Sequence, residues 1–299
     1  MMTAHQQPDL RGTLLLDEPM ARHTSWRVGG PAQRFYSPAD IADLSEFLRR
    51  LPLDENLLWL GLGSNLLVRD GGIRGTVIAL HAALNGLELT AAQTVRAEAG
   101  VPCAKVARFC ARHNRVGAEF LVGIPGTFGG ALAMNAGAFG GETWRVVTAV
   151  QTIDRYGSVR NRAPADFQVG YRQVEGPHDE WFVGAHLQLA AGDGAAAHAL
   201  SKQLLERRNQ TQPTNQPSCG SVFRNPAGDH AARLIETAGL KGYCIGGACV
   251  SEKHANFIVN TGTAKAADIE ALIEHVAQTV ARMHGVRLVR EAHIVGDAS

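Results

Sequence analysis

The sequence carries almost no net charge, because 29 lysines and arginines offset 28 aspartates and glutamates and leave a formal charge of +1. A protein that binds nucleic acid normally presents a basic excess, so we predict no nucleic-acid partner. No run of like charges suggests a polybasic membrane patch. The segment MMTAHQQPDLRG at the start lacks a basic stretch followed by an apolar one. We therefore expect no signal peptide and a cytoplasmic location.

Cysteines and the common catalytic motifs are also scarce. Five cysteines are present, in an odd number and at spacings that fit no zinc motif: Cys103, Cys110, Cys219, Cys244 and Cys249. We expect them to be free thiols in a reducing compartment. The sequence has no HExxH and no GxxxxGK[ST], and CGSVF does not match GxSxG. These absences argue against a metalloprotease, a P-loop enzyme and a serine hydrolase, and we predict no metal site.

A long uncharged stretch covers residues 120–141, FLVGIPGTFGGALAMNAGAFGG. Its 22 positions are enough to span a bilayer as a helix, but seven of them are glycine and one is proline. This density of glycine is typical of a loop built from closely packed backbone. We predict a buried loop here and no membrane span.

The remaining chain alternates predicted helices and strands. Helices are predicted at 37–51 with Ser37 as its cap, 104–114, 195–210, 230–242 and 265–285, where apolar residues through Met283 share one face. Strands are predicted at 56–63, 75–81, twice within 87–101, in a hairpin over 146–162, and at 180–190, 256–262 and 286–296. The polar segment TQPTNQPS (211–218) predicts a linker. With 299 residues, two or three domains are expected.

Two glycine-rich loops are candidate phosphate sites. LGLGSNLLVRDGG (60–72) begins like a dinucleotide fingerprint but lacks its third glycine, so a backbone nest at Gly63, Ser64 and Asn65 is the better interpretation, with an ordinary turn as the alternative. In residues 120–141, glycines allow a large ligand to approach the backbone, and Gly129-Gly130-Ala131 is a candidate start for a short helix. Together the loops favour a cofactor that contains a pyrophosphate.

Seven blocks then follow one another along nearly the whole chain. They are TSWRVGGPAQRF (24–35), LGLGSNLLVRDGGIRGTVI (60–78), FLVGIPGTFGGALAMNAGAFGGE (120–142), GYR (170–172), PSCGSVFRNP (217–226), AGLKGYCIGGACVSEKHANFIVN (238–260) and LVREAHIVG (288–296). In this order they resemble the UDP-N-acetylenolpyruvoylglucosamine reductase family. These are flavin enzymes of peptidoglycan precursor synthesis, also called UDP-N-acetylmuramate dehydrogenases or MurB.

The resemblance implies a fold of the α+β class with α/β lobes. A two-lobed FAD-binding domain of the vanillyl-alcohol oxidase type would comprise residues 1–83 and 84–207, and an α+β substrate-binding domain residues 208–299. It also implies FAD as cofactor, NADPH as hydride donor and a UDP-sugar as substrate. No histidine lies in either glycine loop, so the FAD is expected to be noncovalent. No obligate protein partner is evident.

The family's functional residues transfer to matching positions. Arg172, Ser221 and Glu291 match the catalytic three. The candidate FAD contacts are Gly61, Gly63, Ser64, Asn65, Leu66, Gly123, Pro125, Gly126, Gly129, Gly130, Asn135, Ala136 and Gly137. The candidate substrate contacts are Tyr171, Asn225, Lys241, Tyr243 and His254. This chain departs from the family in having Val174 where a serine is common and Arg290 where a proline is common. Only QVEGPHDE separates Arg172 from Trp181, so it resembles the shorter subtype without a tyrosine lid.

The chemistry of an enol ether explains why these residue types are needed. Hydride from flavin N5 leaves negative charge on the substrate, which a fixed Arg172 would stabilise. Glu291 would stabilise the reacting site or orient a hydrogen-bond donor in it. A carbon next to oxygen must then gain a proton, which Ser221 would donate; as a bare feature of the sequence, this serine also fits a turn, a phosphate ligand or a nucleophile. A flavin oxidase of the same fold and a nucleotide-sugar binding module are the alternative functions.

Overall fold

The computed structural model describes residues 10–91 and 93–298. The strands are β1 Thr13–Pro19, β2 Pro31–Ser37, β3 Leu57–Leu60, β4 Leu66–Val68, β5 Ile73–Ala79, β6 Leu87–Ala91, β7 Thr94–Glu98, β8 Arg115–Val116, β9 Gly137–Ala138, β10 Gly141–Glu142, β11 Val147–Asp154, β12 Val159–Arg162, β13 Gln168–Gly170, β14 Gln173–Glu175, β15 Glu180–Gln188, β16 Ala190–Ala191, β17 Cys244–Ile245, β18 Ala248–Val250, β19 Ile258–Asn260 and β20 His293–Val295. The α-helices are α1 Ile41–Arg50, α2 Cys103–Arg112, α3 Phe128–Ala133, α4 Gly194–Thr211, α5 Ala231–Thr237 and α6 Ala266–His284.

The chain forms two compact units. Within the described residues, the first contains 10–16, 34–62 and 75–207, and the second contains 17–33, 63–74 and 208–298. The predicted linker lies just after the last residue of the first unit. The three domains that we expect, with boundaries after residues 83 and 207, stay a prediction.

The first unit contains two main sheets. One has the strand order β1-β2-β5-β3, with β3 parallel to β5, and the other is antiparallel with the order β12-β11-β15-β7-β6. The uncharged stretch is folded here: a 3₁₀ turn at Glu119–Gly123 is followed by α3 and the β9–β10 pair. Its Leu121, Phe128 and Leu132 are fully buried, and α3 packs against β7 and β15. The prediction of a buried loop is therefore correct for only part of this stretch, which forms short helices and a strand pair and leaves Pro125, Gly130 and Phe139 exposed.

The cap of α1 differs from the prediction. The N-cap is Asp40, whose side chain accepts a hydrogen bond from Asp43 N at 2.8 Å, and not Ser37. The Asp43 carboxylate accepts in turn from Ala39 N at 2.9 Å. That contact holds the residues before Ile41 outside the helix, so the helix begins later than the sequence pattern suggests.

The second unit is built around α6. The three-stranded sheet β17-β18-β19 and the helix α5 both contact α6, while β20 pairs in parallel with β4. The predicted apolar face of α6 is buried except for Met283, which is 55 % exposed because it lies in the last turn, beyond the core. The predicted strand at 286–296 is shortened to β20, since Val289 and Arg290 pair with Arg224 and Phe223 instead.

The expectation of five free thiols is wrong for two cysteines. Cys244 and Cys249 form a disulfide, because the antiparallel register of β17 and β18 places them directly opposite each other. Cys103, Cys110 and Cys219 are free and buried. Sequence spacing alone does not contain this register, so the pair was not predicted. Among the described residues, none of the helices has both the length and the apolar character that a membrane span requires.

Candidate functional site

Ser221 lies in a segment of the second unit whose next residue, Val222, is hydrogen-bonded to Asn256 and to Glu291. Val222 N donates to Asn256 O at 2.9 Å, and Val222 O accepts from Glu291 N at 2.8 Å. The residue before Ser221, Gly220, has a φ of 85°, a left-handed conformation that favours glycine. The fold thus brings Ser221 and Glu291 onto paired segments of one unit.

Glu291 is tied to the first glycine loop. Asn65 donates through Nδ2 to Glu291 O at 3.0 Å, and His293 N donates to Asn65 O at 3.0 Å. This anchors the segment that carries the glutamate. Asn65 is a predicted FAD contact, and in the structure its amide nitrogen faces this backbone. Its role toward FAD stays a prediction.

Two other titratable groups, Cys219 and His293, lie within two residues of Ser221 and Glu291 along the chain. Burial raises the pKa of the Cys219 thiol well above its ordinary value, and the charge of Glu291 adds to the effect. Burial also lowers the pKa of His293, helped by the positive charges of Arg224 and Arg290. A thiol with a raised pKa is a poorer nucleophile, and a histidine with a lowered pKa is less often in the imidazolium form that donates a proton readily. Neither group competes with the hydroxyl of Ser221 in its proposed role.

Arg172 belongs to the first unit and occupies a tight hairpin turn. It follows Tyr171 between β13 and β14 and has a φ of 56°. Its guanidinium donates through Nη2 to Gly137 O at 2.9 Å and through Nη1 to Asn135 O at 3.4 Å, and lies 5.3 Å from the centre of the Tyr171 ring. The second glycine loop therefore fixes the orientation of this cation in advance.

Asn135 locks that loop to the hairpin. Its Nδ2 donates to Gly170 O at 3.1 Å, while its Oδ1 accepts from Trp144 N at 3.2 Å. The residue is buried and adopts a φ of 43°. Its predicted contact with FAD is untested, but the structure gives it a second task, which is to hold the turn that carries Arg172.

A cavity of about 320 Å³ opens in the first unit. Aromatic and glycine residues dominate its lining: Trp59, Leu60, Gly61, Leu80, Thr127, Gly129, Gly130, Ala133, Phe167, Val174, Gly176, Pro177, Glu180, Trp181 and Phe182. Trp59 and Trp181 stack with their ring centres 4.9 Å apart. Three predicted FAD residues, Gly61, Gly129 and Gly130, meet here. Val174, which departs from the family pattern, fills part of the wall.

Thr127 is the polar group of this cavity that fits a phosphate. The residue is 1 % exposed, and its Oγ1 has no hydrogen-bond partner among the described residues. A Cβ on Gly61 would lie 2.3 Å from that oxygen, so only glycine fits beside it. A buried hydroxyl without a partner is costly unless a ligand supplies one. With the glycine backbone and the aromatic walls, these residues fit the phosphate and flat rings of FAD.

Sequence reasoning missed Thr127, Trp59 and Trp181. Thr127 lies inside the quoted GIPGTFGG block, so its motif was available as a signal. The two tryptophans are on β3 and β15 and belong to no motif; only the pairing of distant strands brings them together.

The remaining predicted FAD residues are distributed over both units. Gly63, Ser64, Asn65 and Leu66 belong to the second unit, where Gly63 has a φ of 60° and a Cβ on it would lie 2.0 Å from His23 O. The others, in the first unit, are Gly123, Pro125, Gly126, Asn135, Ala136 and Gly137. The backbone conformation and the close approach of His23 O thus require glycine at position 63, whatever it binds.

Among the described residues, no cluster of acidic, histidine or cysteine side chains suits a metal ion.

Four predicted substrate residues lie in the second unit. Lys241 Nζ pairs with Glu236 Oε1 at 2.8 Å, and the rings of Tyr243 and His275 stack with their centres 4.5 Å apart. Asn225 accepts from Ala231 N at 3.1 Å through Oδ1.

Burial lowers the pKa of His254, whose Nδ1 has no hydrogen-bond partner in the described part of the chain. A neutral imidazole with an unused nitrogen suits hydrogen bonding to a ligand. Tyr171, the fifth residue, is in the first unit and 52 % exposed.

Replacing Thr127 with valine is expected to weaken FAD binding by roughly 10- to 100-fold, because the variant lacks the hydroxyl that would form a hydrogen bond with a charged phosphate of FAD. Valine keeps the shape of the side chain. The dissociation constant of FAD, measured on the apoprotein by quenching of flavin fluorescence, tests this. The matched control is Thr76→Val, since Thr76 is also buried in the first unit but donates to Glu55. Unchanged affinity in Thr127→Val would contradict the assignment.

Two known families match successive parts of the chain. Residues 32–162 match the FAD binding domain family, and residues 212–295 match the C-terminal domain of UDP-N-acetylenolpyruvoylglucosamine reductase. The chain is 65 % identical to the reductase of that name from Alkalilimnicola ehrlichii, covering 94 % of each chain, and 64 % identical to that from Methylococcus capsulatus, covering 96 % of this chain and 95 % of the relative.

A solved structure agrees over the full length. The crystal structure of the reductase from Thermus caldophilus superposes with a TM-score of 0.81 at 29 % identity, covering 98 % of this chain and 99 % of that one. The predicted fold class, an FAD-binding domain followed by an α+β C-terminal domain, is confirmed. The chain belongs to the UDP-N-acetylenolpyruvoylglucosamine reductase family and is an FAD-dependent oxidoreductase.

Proposed function

We propose that this protein uses NADPH and noncovalent FAD to reduce UDP-N-acetylglucosamine enolpyruvate to UDP-N-acetylmuramate. It would act in the cytoplasm, in the synthesis of peptidoglycan precursors, without an obligate protein partner. The observation that carries the proposal is the hydrogen bond from Glu291 N to Val222 O, which joins the segment that contains Ser221, the proposed acid, to the segment that contains Glu291. Membership of the family supports the same conclusion.

Bound FAD would supply the two-electron transfer from N5 to the vinyl carbon of the substrate. We assign to Arg172 the stabilisation of the negative charge that then spreads toward the substrate carboxylate. The backbone carbonyls that hold its guanidinium make this charge preorganised, so it costs little reorganisation when the transition state forms.

Ser221 is assigned the delivery of the proton that completes the reduction. A hydroxyl is a weak acid, but an enolate-like carbon is a strong base, so proton transfer is favourable when the two are close. Glu291 is assigned the orientation of the site. A second negative charge next to the substrate carboxylate would be repelled, so its role is limited to ordering donors or acting in its protonated form.

The binding roles follow the two units. Thr127 and the glycines around it would hold the FAD phosphates, together with the other candidate residues of both loops. Asn225, Lys241, Tyr243 and His254, with Tyr171, would contact the UDP-sugar. In this assignment residues 1–83 and 84–207 form the two lobes of the FAD domain and residues 208–299 the substrate domain.

The spectrum of the purified protein tests the proposal. We expect a yellow chromophore that NADPH bleaches without oxygen and that the enolpyruvyl sugar restores. Consumption of oxygen with NADPH alone, without need for the sugar, would indicate a flavin oxidase instead. A colourless protein that binds no FAD but binds the nucleotide sugar would indicate a binding module.

A further inference from the structure

Asn256 is a buried amide that pairs with both backbone polar groups of one residue, Phe223. The residue is 3 % exposed. Its Oδ1 accepts from Phe223 N at 3.0 Å, and its Nδ2 donates to Phe223 O at 2.8 Å. Asparagine and glutamine offer a donor and an acceptor on one planar group, so the side chain replaces a neighbouring strand at this point.

The backbone carbonyl of Asn256 holds the preceding residue, Val222. Asn256 O accepts from Val222 N at 2.9 Å, while Glu291 N donates to Val222 O from the other side at 2.8 Å. Val222, the residue directly after Ser221, is thus fixed between Asn256 and Glu291. On the other side of Ser221, Gly220 has a φ of 85°, and a Cβ added to it would meet nothing within 4 Å. Before Gly220, Ser218 pairs with Val259 and Cys219 is buried, so Ser221 is held from both sides, and the contacts of Val222 and Phe223 are those directly after it.

We propose that Asn256 is a positioning residue that holds the Ser221 hydroxyl in place for proton delivery. The inference rests on the proposed function of Ser221. Without the amide, Phe223 N and Phe223 O would be buried without these partners, and the segment would shift to satisfy them. A shift of about 1 Å in a reacting group costs roughly 100-fold in rate. Asn256 acts through the backbone and contacts no substrate in this assignment.

The second unit contains a matched control. Asn260 is also buried, at 7 % exposure; its Nδ2 donates to Trp26 O at 2.9 Å, and its Oδ1 accepts from Gly262 N at 2.8 Å and from Ala264 N at 3.1 Å. Asparagine to aspartate removes the amide donor at either site and keeps the size of the side chain. Asn256→Asp thus affects Phe223 O, whereas Asn260→Asp affects Trp26 O.

The test compares both variants as FAD-loaded full-length proteins by rapid mixing. We expect both to unfold at lower urea concentrations than the wild type and both to be reduced by NADPH at the wild-type rate. Only Asn256→Asp should slow the reoxidation of flavin by the enolpyruvyl sugar, by roughly 10- to 100-fold. An equal slowing in Asn260→Asp, or none in Asn256→Asp, would overturn the inference.

A double variant separates positioning from general loss of structure. In a Ser221→Ala background, Asn256→Asp should slow reoxidation by less than about threefold, because the hydroxyl that it positions is already absent. The full slowing in that background would also overturn the inference. If the Ser221→Ala variant is reoxidised at the wild-type rate, the proposed function of Ser221 fails instead.

If Asn256→Asp does not fold, Asn256→Gln replaces it. Its longer amide should slow reoxidation by the sugar but not reduction by NADPH, and reoxidation at the wild-type rate would refute positioning.

Discussion

Replacing Ser221 with alanine should slow the reoxidation of reduced flavin by the sugar substrate by roughly 10²–10⁴, the usual contribution of a general acid. The alanine backbone can keep the hydrogen bonds that Val222 makes with Asn256 and Glu291, so the fold should persist. FAD binding and reduction by NADPH need no proton from this residue. Both should therefore remain close to the wild type.

Rapid-mixing absorbance of the two half-reactions measures this difference. If Ser221→Ala impairs reduction by NADPH as much as reoxidation by the sugar, the serine supports structure or cofactor and the proton-donor role is wrong. Ser221→Cys should restore part of the rate, because a thiol is a stronger acid. A nucleophilic serine would instead leave a covalent sugar adduct on the wild type, visible as a mass increase of the intact protein.

Replacing Arg172 with lysine is expected to lower turnover by roughly 10²–10³, the effect of removing one preorganised stabiliser of charge. Lysine keeps the positive charge but lacks the planar fork. In the structure that fork donates to Gly137 O and Asn135 O through two nitrogens, and a single ammonium on a flexible stem cannot be held in the same orientation. It also loses the geometry that meets a carboxylate with two hydrogen bonds.

Steady-state turnover, together with reduction by NADPH alone, measures the effect of Arg172→Lys. Reduction should be nearly normal because the sugar carboxylate takes no part in it. Arg96→Lys is a suitable control, since Arg96 is partly buried in the same unit and pairs with Glu88 and Glu98. Turnover of Arg172→Lys equal to that of Arg96→Lys would remove Arg172 from the mechanism.

Local patterns predicted most of the elements correctly. The apolar repeat of α6 predicted its length and its buried face, and the hairpin predicted over 146–162 is the antiparallel pair of β11 and β12. The errors occur where the local sequence pattern fits more than one residue or boundary. Asp40 is as good a cap as Ser37, and Met283 continues the helical period past the end of the core.

The sequence by itself determined the family, the cofactor class and the identity of the candidate residues. Its motifs are contiguous blocks, and a helix or a tight turn depends on neighbours a few positions away. Only the tertiary structure decided which residues work together. Asn256 pairs with Phe223 across 33 positions and Asn65 with Glu291 across 226, and the Cys244–Cys249 bond depends on strand register. Contacts of this kind, like the aromatic walls around Thr127, arise when distant segments pack against one another, and no local pattern encodes that packing.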